Sequence, residues 1–337
     1  MRAAVIGASG YAGSEILRLL VAHPHLDVVL VTADSAQGAL VGAHVPSLAG
    51  AYGDMRFASH ADVFEADVDV VFLALPHGVS QDYVPRLRDQ NRIVVDLGAD
   101  YRLKDPLHYD QWYGAAHRTP ELLSGAVYGL VERHRSKLAG AMLLAIPGCY
   151  PTASALALGP FVDEGWIAPT GIVVNALSGV SGAGRAPSDR LHFPRLHANA
   201  EAYGLLHHRH TIEIQEEIGA EVIFTPHLVP VSRGMLVTAY GRITAPHSSE
   251  DALALLRETY ANDPFVVVTD EPPSLKDPLG SNMCLLSARV DERTGWLVVM
   301  SALDNLTKGA AGQAVQALNV SRGWDETLGV PLVGVAP

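Results

Sequence analysis

Cys149 is the residue of this chain best placed for covalent chemistry. It lies in residues 146–152, between an apolar stretch and residues 153–164, whose composition suits a helix. A thiol at such a strand-to-helix turn sits near unpaired N–H groups, and these and the helix dipole favour the thiolate. Because the thiolate is the nucleophile, the sequence predicts covalent catalysis at Cys149. The second cysteine, Cys284, has apolar neighbours and is expected to be a buried small hydrophobe.

A histidine-rich segment supplies the candidate acid/base. His207, His208 and His210 occupy three of four positions ahead of a predicted helix at 213–218. A histidine paired with a cysteine can hold a thiolate and shuttle protons. The cluster lacks a helical His-x-x-x-His pair and a nearby cysteine, so we do not expect a metal site. Any one of these histidines is as readily an ordinary surface or core residue.

Two further segments could bind an anion. Residues 178–185 form a glycine-serine loop with Ser178 and Ser181 that ends at Arg185, so it offers N–H groups, hydroxyls and a guanidinium. Arg102 follows the fourth predicted strand, where an open parallel sheet binds its ligands. A flexible loop and a solvated arginine are the alternatives.

The N-terminal residues have the order strand, glycine turn, helix. An apolar run at 3–6 precedes Gly7, Gly10 and Gly13, and residues 14–23 carry apolar side chains at helical spacing. Glycines let the backbone approach a pyrophosphate, which then lies at the helix N-terminus. Further β-rich runs at 28–32, 68–75 and 92–97 alternate with helical segments. This pattern predicts a doubly wound parallel sheet that binds a dinucleotide, with a ligand-free tight turn as the alternative.

The residues after the second strand leave the cofactor open. Asp34 stands where an acidic residue would bind the ribose 2′-hydroxyl of NAD, whereas Ser35 could help to hold a 2′-phosphate. No decisive arginine follows this strand. A strand-end turn or helix cap is the alternative role for Asp34.

The length of 337 residues predicts two domains. Strands are expected in the second half at 171–177, 235–243, 265–268 and 297–303. Residues 304–319 read as a helix of small residues that packs closely, and we expect it to return to the first domain beside the cofactor.

Composition limits the function classes. Two cysteines indicate a reducing, intracellular location, and the first residues lack the features of a signal peptide. No apolar run is suited to spanning a membrane. The net charge of −12 argues against nonspecific nucleic-acid binding, although a local basic pocket could still take a small anionic substrate.

In the order in which they occur, these motifs resemble those of the N-acetyl-gamma-glutamyl-phosphate reductase family, which is related to aspartate-semialdehyde dehydrogenase and glyceraldehyde-3-phosphate dehydrogenase. The resemblance extends over essentially the whole chain and is most specific at residues 144–160. It implies an α/β protein with a Rossmann domain at 1–147, completed by a C-terminal helix at 307–337. It also implies an α+β domain at 148–306 with a mainly antiparallel sheet for catalysis and oligomerisation. The sequence departs from the family by having no proline before Glu213, which alters only the helix entry.

The resemblance also implies a reaction in arginine biosynthesis. NADPH-dependent reduction of N-acetyl-L-glutamyl 5-phosphate would proceed through a Cys149 thioester with His208 as acid/base and His210 as the runner-up. The oxyanion would be met by the Cys149 N–H. The expected substrate contacts are Arg102, Ser178, Ser181, Arg185 and Tyr203. The expected NADP contacts are Gly7, Ser9, Gly10, Tyr11, Ala12, Gly13, Ser35, Gly182 and Asn305. A cytoplasmic homo-oligomer, dimer or tetramer, is implied, with no nucleic-acid or membrane partner.

Other functions remain open. A lysine-pathway paralogue would reduce an aminoadipyl phosphate on a small acidic carrier, and residues 319–329 resemble it somewhat. The charge of −12 and the lack of a Lys/Arg cluster instead predict turnover of a free small molecule. An aspartate-semialdehyde dehydrogenase would differ in its carboxylate and amine contacts. A non-catalytic nucleotide-binding redox sensor would not need Cys149, His208 and Arg185 together.

Overall fold

The computed structural model describes residues 1–335, which form two compact units. Unit 1 contains Met1–Asp110, Ala115–Pro147 and Ala310–Val330. Unit 2 contains Gln111–Gly114, Gly148–Gly309 and the described residues from Pro331 onward. None of the helices in residues 1–335 combines the length and the apolar character that crossing a membrane requires.

Unit 1 is built on a six-stranded parallel sheet. Its strands are β1 (Arg2–Ile6), β2 (Asp27–Thr32), β3 (Val70–Leu73), β4 (Ile93–Asp96), β5 (Val127–Tyr128) and β6 (Leu143–Ala145). They lie in the order β2-β1-β3-β4-β6-β5, and each neighbouring pair is parallel. Every residue of β3 and β4 is buried, as expected for strands covered on both faces. The predicted doubly wound parallel sheet is confirmed.

Short helices connect these strands. Those in residues 1–147 are α1 (Tyr11–Leu20), α2 (Val41–His44), α3 (Ala49–Tyr52), α4 (Val84–Asp89), α5 (Leu107–Tyr113) and α6 (Val131–Leu138). α1 begins three residues before the predicted start, directly after Gly10. Its apolar stripe, with Ile16, Leu17 and Leu20, is buried against the sheet as its spacing predicted. The glycine turn is therefore held between β1 and the first turn of a helix.

Unit 2 contains a seven-stranded mixed sheet and four helices. Its elements are α7 (Cys149–Asp163), β7 (Ile172–Ser178), α8 (Phe193–Leu196), β8 (Glu201–Ala202), α9 (His210–Ile218), β9 (Val222–Leu228), β10 (Met235–Arg242), α10 (Ser249–Thr259), β11 (Val266–Val268), β12 (Cys284–Asp291) and β13 (Trp296–Leu303). The strand order is β11-β12-β13-β10-β7-β9-β8. Four of the six strand pairs are antiparallel, and β11–β12 and β7–β9 are the parallel ones. The expected second α+β domain with a mainly antiparallel sheet is confirmed.

Helix α7 lies in the core of unit 2. Twelve of its 15 residues are buried, and the helix is apolar on all sides, as a core helix should be. The Ser301 hydroxyl donates to the Ala153 carbonyl at 3.0 Å, and the Tyr260 hydroxyl donates to the Leu156 carbonyl at 2.6 Å. These buried bonds tie α7 to β13 and α10. The first residue of α7 therefore belongs to a rigid element.

The C-terminal helix ends close to residue 319, as the sequence predicted, and is shorter than the span that the resemblance implied. A π-helical turn at Thr307–Ala311 leads into α11 (Gly312–Ser321), and turns follow it in the described residues up to 335. Gly323 adopts a positive φ of 70°, its N–H donates to the Val320 carbonyl, and the Trp324 N–H donates to the Asn319 carbonyl. This pair of bonds is a Schellman motif, which ends a helix at a left-handed glycine. Residues 336 and 337 lie outside the described part of the chain.

Asp96, the last residue of β4, is a fully buried carboxyl group. Its Oδ1 accepts hydrogen bonds from the Ser80 hydroxyl at 2.7 Å and the Gly98 N–H at 2.8 Å. Burial raises the pKa of Asp96 to about 6, the Ser80 bond opposes this rise, and the Asp100 charge adds to it. Because an unfolded aspartate has a pKa of about 4, the native state binds this proton more tightly. The stability it contributes is complete below about pH 4 and is lost as the pH rises through about 6.

We predict that Asp96→Asn removes this pH dependence. Relative to the parent protein, the variant should gain free energy of unfolding between pH 4 and pH 7, by on the order of 2–3 kcal/mol. Urea unfolding of both proteins across this range measures the gain, with the exposed Asp54→Asn as a control. A variant whose stability depends on pH as steeply as the parent's would contradict the assignment.

Candidate active site

Cys149 is the first residue of helix α7. Gly148 is the N-cap, with extended φ/ψ of −68° and 158° and no side-chain cap, and β6 ends three residues earlier. The predicted strand-to-helix turn is confirmed, but the helix starts four residues before residue 153. Pro151 lies in its first turn, where a missing N–H costs no hydrogen bond. The thiol therefore stands at the N-terminus of a 15-residue helix, whose dipole favours the thiolate.

A buried carboxylate anchors the turn before Cys149. Glu213 is 1% exposed, and its Oε1 accepts the Gly148 N–H at 2.9 Å. Its Oε2 lies 3.9 Å from Nε2 of His210, which is also buried. Both residues belong to the first turn of α9. The turn that carries the thiol is thereby fixed to the helix that follows the histidine-rich segment.

His208 lies among aromatic rings, one of which is that of Tyr150, the residue after Cys149. Its ring centroid is 5.6 Å from that of Tyr150, 5.5 Å from that of Tyr203 and 5.4 Å from that of Phe224. The hydroxyls of Tyr150 and Tyr203 are 2.8 Å apart and share a hydrogen bond. The structure thus joins the predicted His208 and Tyr203 through Tyr150, the neighbour of Cys149. We call Tyr150, Tyr203, His208 and Phe224 the aromatic pocket.

Burial sets the protonation states in the aromatic pocket. It is the main cause that lowers the pKa of His208 to about 4, and the neighbouring charges of Arg209 and His207 contribute to the same lowering. Burial also raises the pKa of Tyr150 and of Tyr203. At neutral pH the imidazole is therefore uncharged and the two phenols keep their protons. A neutral imidazole can accept a proton, whereas the phenols can donate hydrogen bonds.

A polar cluster at the end of β7 adjoins the aromatic pocket. Ser178 is 2% exposed and forms a side-chain hydrogen bond with Tyr150. Ser181 Oγ accepts a hydrogen bond from the Asn305 amide at 2.9 Å, and the Asn305 carbonyl accepts the Gly234 N–H at 2.7 Å. A Cβ on Gly182 would come within 3.0 Å of Ser178 Oγ. The structure therefore brings the predicted Ser178, Ser181, Gly182 and Asn305 together, with the Asn305 amide engaged by the protein itself.

The cations of the following loop are placed differently from one another. The predicted Arg185 is exposed just after Gly184, which has a φ of +82°. Arg190, which sequence reasoning missed, lies with its guanidinium carbon 4.3 Å from the Tyr203 ring centroid and pairs with Glu201. No motif in the sequence distinguishes Arg190 from other loop arginines. Its contact with Tyr203 depends on how the loop folds back.

The backbone of Gly309 lies close to Cys149 and leaves no room for a side chain. A Cβ built on Gly309 would lie 2.7 Å from Cys149 Cβ and 3.3 Å from Cys149 Cα. Real Cβ atoms do not approach so closely, so any side chain at position 309 must displace the cysteine. Sequence analysis predicted only a packing role for Gly309, as one small residue among several. Its absent side chain in fact defines where the sulfur can sit.

The three glycines of the turn in unit 1 differ in whether the backbone around them leaves room for a side chain. Gly7 has a φ of +79°, and a Cβ on it would lie 2.4 Å from the Ala74 carbonyl oxygen. A Cβ on Gly13 would lie 2.4 Å from the Gly7 carbonyl oxygen, so the fold itself requires both residues. Gly10 has an ordinary φ of −77°, and a Cβ there would touch only the Gly7 oxygen at 3.4 Å. The fold therefore does not require a glycine at position 10, and the lack of a side chain there leaves the backbone open at the start of α1.

The other predicted ligands of unit 1 lie beside this turn or at the carboxyl edge of the sheet. Ser9 and Ala12 are half-buried, and Tyr11 is exposed on the first turn of α1. Ser35 is exposed in a 3-10 turn (Asp34–Ala36) after β2. Arg102 is half-buried beyond β4, and its guanidinium donates to the Leu97 carbonyl at 2.9 Å. These positions are compatible with ligand binding at the sheet edge.

Comparison with known proteins assigns a family to each half of the chain. The family model of the semialdehyde dehydrogenase NAD binding domain matches residues 2–141, and that of the semialdehyde dehydrogenase dimerisation domain matches residues 149–305. The chain is 41% identical to an N-acetyl-gamma-glutamyl-phosphate reductase of Moorella thermoacetica and 43% identical to one of Desulforudis audaxviator. Both alignments cover 100% of each chain.

Solved structures agree on the fold. Aspartate semialdehyde dehydrogenase II from Vibrio cholerae superposes with a TM-score of 0.71 at 18% identity, covering 95% of this chain and 97% of that one. The enzyme from Candida albicans, solved with NADP, gives 0.68 at 17% identity with the same coverage. At such low identity these matches establish the fold alone.

We predict that Gly309→Ala displaces the thiol. Because the new methyl group would overlap Cys149, alkylation of Cys149 by iodoacetamide should slow by about tenfold or more as the sulfur leaves the helix N-terminus. Mass spectrometry of the Cys149 peptide measures the rate. Gly50→Ala is the matched control, since a Cβ there meets no atom within 4 Å. An unchanged alkylation rate in Gly309→Ala would show that the close approach has no effect on the thiol.

Proposed function

The chain belongs to the N-acetyl-gamma-glutamyl-phosphate reductase family, and we propose that it reduces N-acetyl-L-glutamyl 5-phosphate to N-acetyl-L-glutamate 5-semialdehyde and phosphate with NADPH, as a step of arginine biosynthesis. The observation that carries the proposal is the thiol of Cys149 at the start of a buried helix, beside the aromatic pocket that holds His208. An acyl phosphate is the substrate class that a thiol nucleophile converts to a thioester.

The first half of the reaction is acyl transfer to Cys149. The sulfur attacks the acyl carbon of the substrate, and neutral His208 accepts the thiol proton. The C–O bond to phosphate then breaks, which leaves a thioester on Cys149. The Cys149 N–H, in the first turn of α7, donates to the developing oxyanion. Tyr150 and Tyr203, which keep their protons, exclude water and orient the acyl group.

The second half releases the aldehyde. When bound, NADPH supplies the hydride that reduces the thioester carbonyl. The imidazolium of His208 then returns its proton as the C–S bond breaks and the semialdehyde leaves. Burial of His208 suits this task, because a lowered pKa makes the imidazolium a ready proton donor.

We assign the substrate and cofactor contacts to the residues that the sequence predicted. Ser178, Ser181, Arg185 and Arg102 bind the phosphate and carboxylate groups, and Tyr203 contacts the acyl chain. NADP is held by the glycine turn, which includes Gly7, Ser9, Gly10, Tyr11, Ala12 and Gly13, with Ser35 at the ribose end. Gly182 and Asn305 are the remaining cofactor contacts that we assign. The hydrogen bond of Ser178 with Tyr150 and the exposed positions of Ser35 and Arg185 support these roles.

The two units serve as two domains. Residues 1–147 with the segment beginning at 307 form the NADP-binding Rossmann domain, and residues 148–306 form the catalytic and oligomerisation domain. Alternate residues of β10 and β13, including Leu236, Tyr240, Val298 and Met300, are only half-buried on one face of the mixed sheet. A second copy covers this face, so the enzyme is a homo-oligomer, a dimer or a tetramer. It works in the cytoplasm on a free small molecule.

A phosphate-dependent assay tests this function. We predict that the protein oxidises free N-acetyl-L-glutamate 5-semialdehyde with NADP and phosphate, with no carrier protein. Cys149→Ser should abolish turnover while NADP binding persists, because the hydroxyl is a far weaker nucleophile. Cys284→Ser is the matched control and should stay active. Activity only with a carrier-linked substrate or with aspartate semialdehyde would point to a relative, and cofactor binding without turnover would point to a redox sensor.

The acid/base assignment is tested by two histidine variants. We predict that His208→Asn lowers kcat/KM by ~10²–10⁴-fold, because the thiol proton loses its acceptor. In the parent enzyme the neutral form needed for attack should be lost only as the pH falls through about 4, the pKa of His208. The pH profile of kcat/KM for the acyl phosphate measures this. A near-normal His208→Asn beside an inactive His210→Asn would transfer the role to His210, which lies against Glu213.

Cofactor preference is a separate prediction. We expect kcat/KM with NADP to exceed that with NAD by about tenfold or more, as the 2′-phosphate adds charge-assisted hydrogen bonds. Steady-state assays with each cofactor at the same semialdehyde concentration measure the ratio. Equal or better use of NAD would mean that Asp34 binds the ribose, and Asp34→Ser should then improve the use of NADP.

A further inference from the structure

The loop after β2 contains an acidic residue, Asp34, although the proposed cofactor, NADP, carries a 2′-phosphate. An acidic side chain here usually binds the 2′-hydroxyl of NAD and repels a 2′-phosphate. Resting on the proposed function, we propose that Arg56 binds the 2′-phosphate of NADP together with Ser35, while Asp34 serves the fold instead of the ribose. Arg56 is thereby a specificity-determining residue that the sequence motif does not contain.

Asp34 is engaged by the protein. Its Oδ1 accepts the His60 N–H at 2.9 Å and lies 3.7 Å from His60 Nδ1. A carboxylate that selects NAD accepts hydrogen bonds from the ribose hydroxyls. One of the two oxygens of Asp34 already accepts a backbone donor, which ties this side chain to residue 60 and gives it a role in the fold of the loop.

His60 is held in place from a second side. Its Nδ1 lies 2.5 Å from the hydroxyl of Thr32, the last residue of β2, and its side chain is only 14% exposed. The Ala58 N–H donates to the Val31 carbonyl, and the Ala33 N–H donates to the Ala58 carbonyl. Residues 58–60 thus run beside the end of β2 as an added strand-like edge. The acceptor role of Asp34 is part of this edge.

Residues 56 and 57, which precede this edge in the chain, pair with the loop after β2. Leu40 and Arg56 form an antiparallel bridge, and the Gly38 N–H donates to the Phe57 carbonyl. Nη1 of Arg56 donates to the Gly38 carbonyl at 2.7 Å. The guanidinium therefore lies beside Gly38, which is four positions after Asp34 in the loop. Arg56 itself is 22 positions after Asp34 in the sequence.

The chemistry of this loop suits a phosphate monoester. Arg56 is exposed, and the Gly38 bond uses one of the five N–H donors of its guanidinium. Ser35 is exposed in the same loop and can add a hydroxyl donor. Arginine matches phosphate geometry with paired N–H groups, which a ribose hydroxyl does not need. In the sequence, the acidic residue nearest to Arg56 is Asp54, which is exposed and lies outside the loop after β2.

Binding of cofactor fragments tests the proposal without turnover. Calorimetry with 2′,5′-ADP and with 5′-AMP compares two ligands that differ only in the 2′-phosphate. Arg56→Ala should weaken 2′,5′-ADP and NADP by about tenfold or more and change 5′-AMP and NAD less than twofold. Arg56→Lys should recover part of the loss. Arg86→Ala, which removes an exposed cation elsewhere in unit 1, is the matched control and should leave all four affinities unchanged.

The outcomes separate this proposal from the proposed function. Equal losses for both fragments, or no loss, would overturn the role of Arg56, even if the parent enzyme remains an NADP-dependent reductase. Asp34→Asn keeps the acceptor for the His60 N–H, so it should leave the affinity for NAD within about threefold. A large loss of NAD binding in Asp34→Asn would show that Asp34 grips the ribose, which also contradicts the proposal. Absence of any dinucleotide binding by the folded parent protein would instead contradict the proposed function.

Discussion

The hydrogen bond from the Gly148 N–H to the Glu213 carboxylate fixes the position of the nucleophile. The N-cap residue of a helix has a free N–H, and leaving such a group buried and unpaired costs about 1–3 kcal/mol. Glu213, at 1% exposure, supplies the acceptor from the first turn of α9. Two helix N-termini that are 65 residues apart in sequence are thereby joined at the turn that carries Cys149. The aromatic pocket builds on this join, since Tyr150 follows the thiol and His208 precedes α9.

Local sequence patterns were enough to predict those helices and strands that are marked by one strong local feature. Four predicted strands of the first half and the strand–turn–helix context of Cys149 follow from short apolar runs and glycines, which act through nearest neighbours. β9 and β12 lie outside the predicted strands, and in β9 Pro226 is a residue that is unfavourable in a strand interior. In the structure its position is tolerated, and its carbonyl accepts the Tyr203 N–H. The end of α11 agrees with the helix predicted at 304–319, whereas the helix to 337 that the resemblance implied is cut short at the left-handed Gly323.

The parts of the candidate site that sequence reasoning missed depend on long-range contacts. Arg190 reaches Tyr203 because the loop after β7 folds back, and Arg56 reaches the loop after β2 through a bridge to Leu40. Gly309 reads as an ordinary small residue until its contact with Cys149 is known. Spacing along the chain carries no information about such contacts. The sequence could identify only the chemical type of each group. Of the residues that it identified in unit 2, His208, Tyr203 and Ser178 contact Tyr150 in the structure.

The electrostatics around Cys149 decide when the thiol loses its proton. The helix N-terminus favours the thiolate by about 0.3–1 kcal/mol, or up to ~2 kcal/mol when partly buried. The Glu213 carboxylate beside the turn opposes a second negative charge, and neutral His208 offers no cation to offset it. A permanent thiolate–imidazolium pair is therefore not what this pocket stabilises. Proton transfer to His208 instead accompanies attack on the acyl carbon, when negative charge moves from sulfur to the departing phosphate. The burial that makes His208 a weak base makes its conjugate acid a strong one, so the proton returns readily when the C–S bond breaks and the next turnover begins with a protonated thiol.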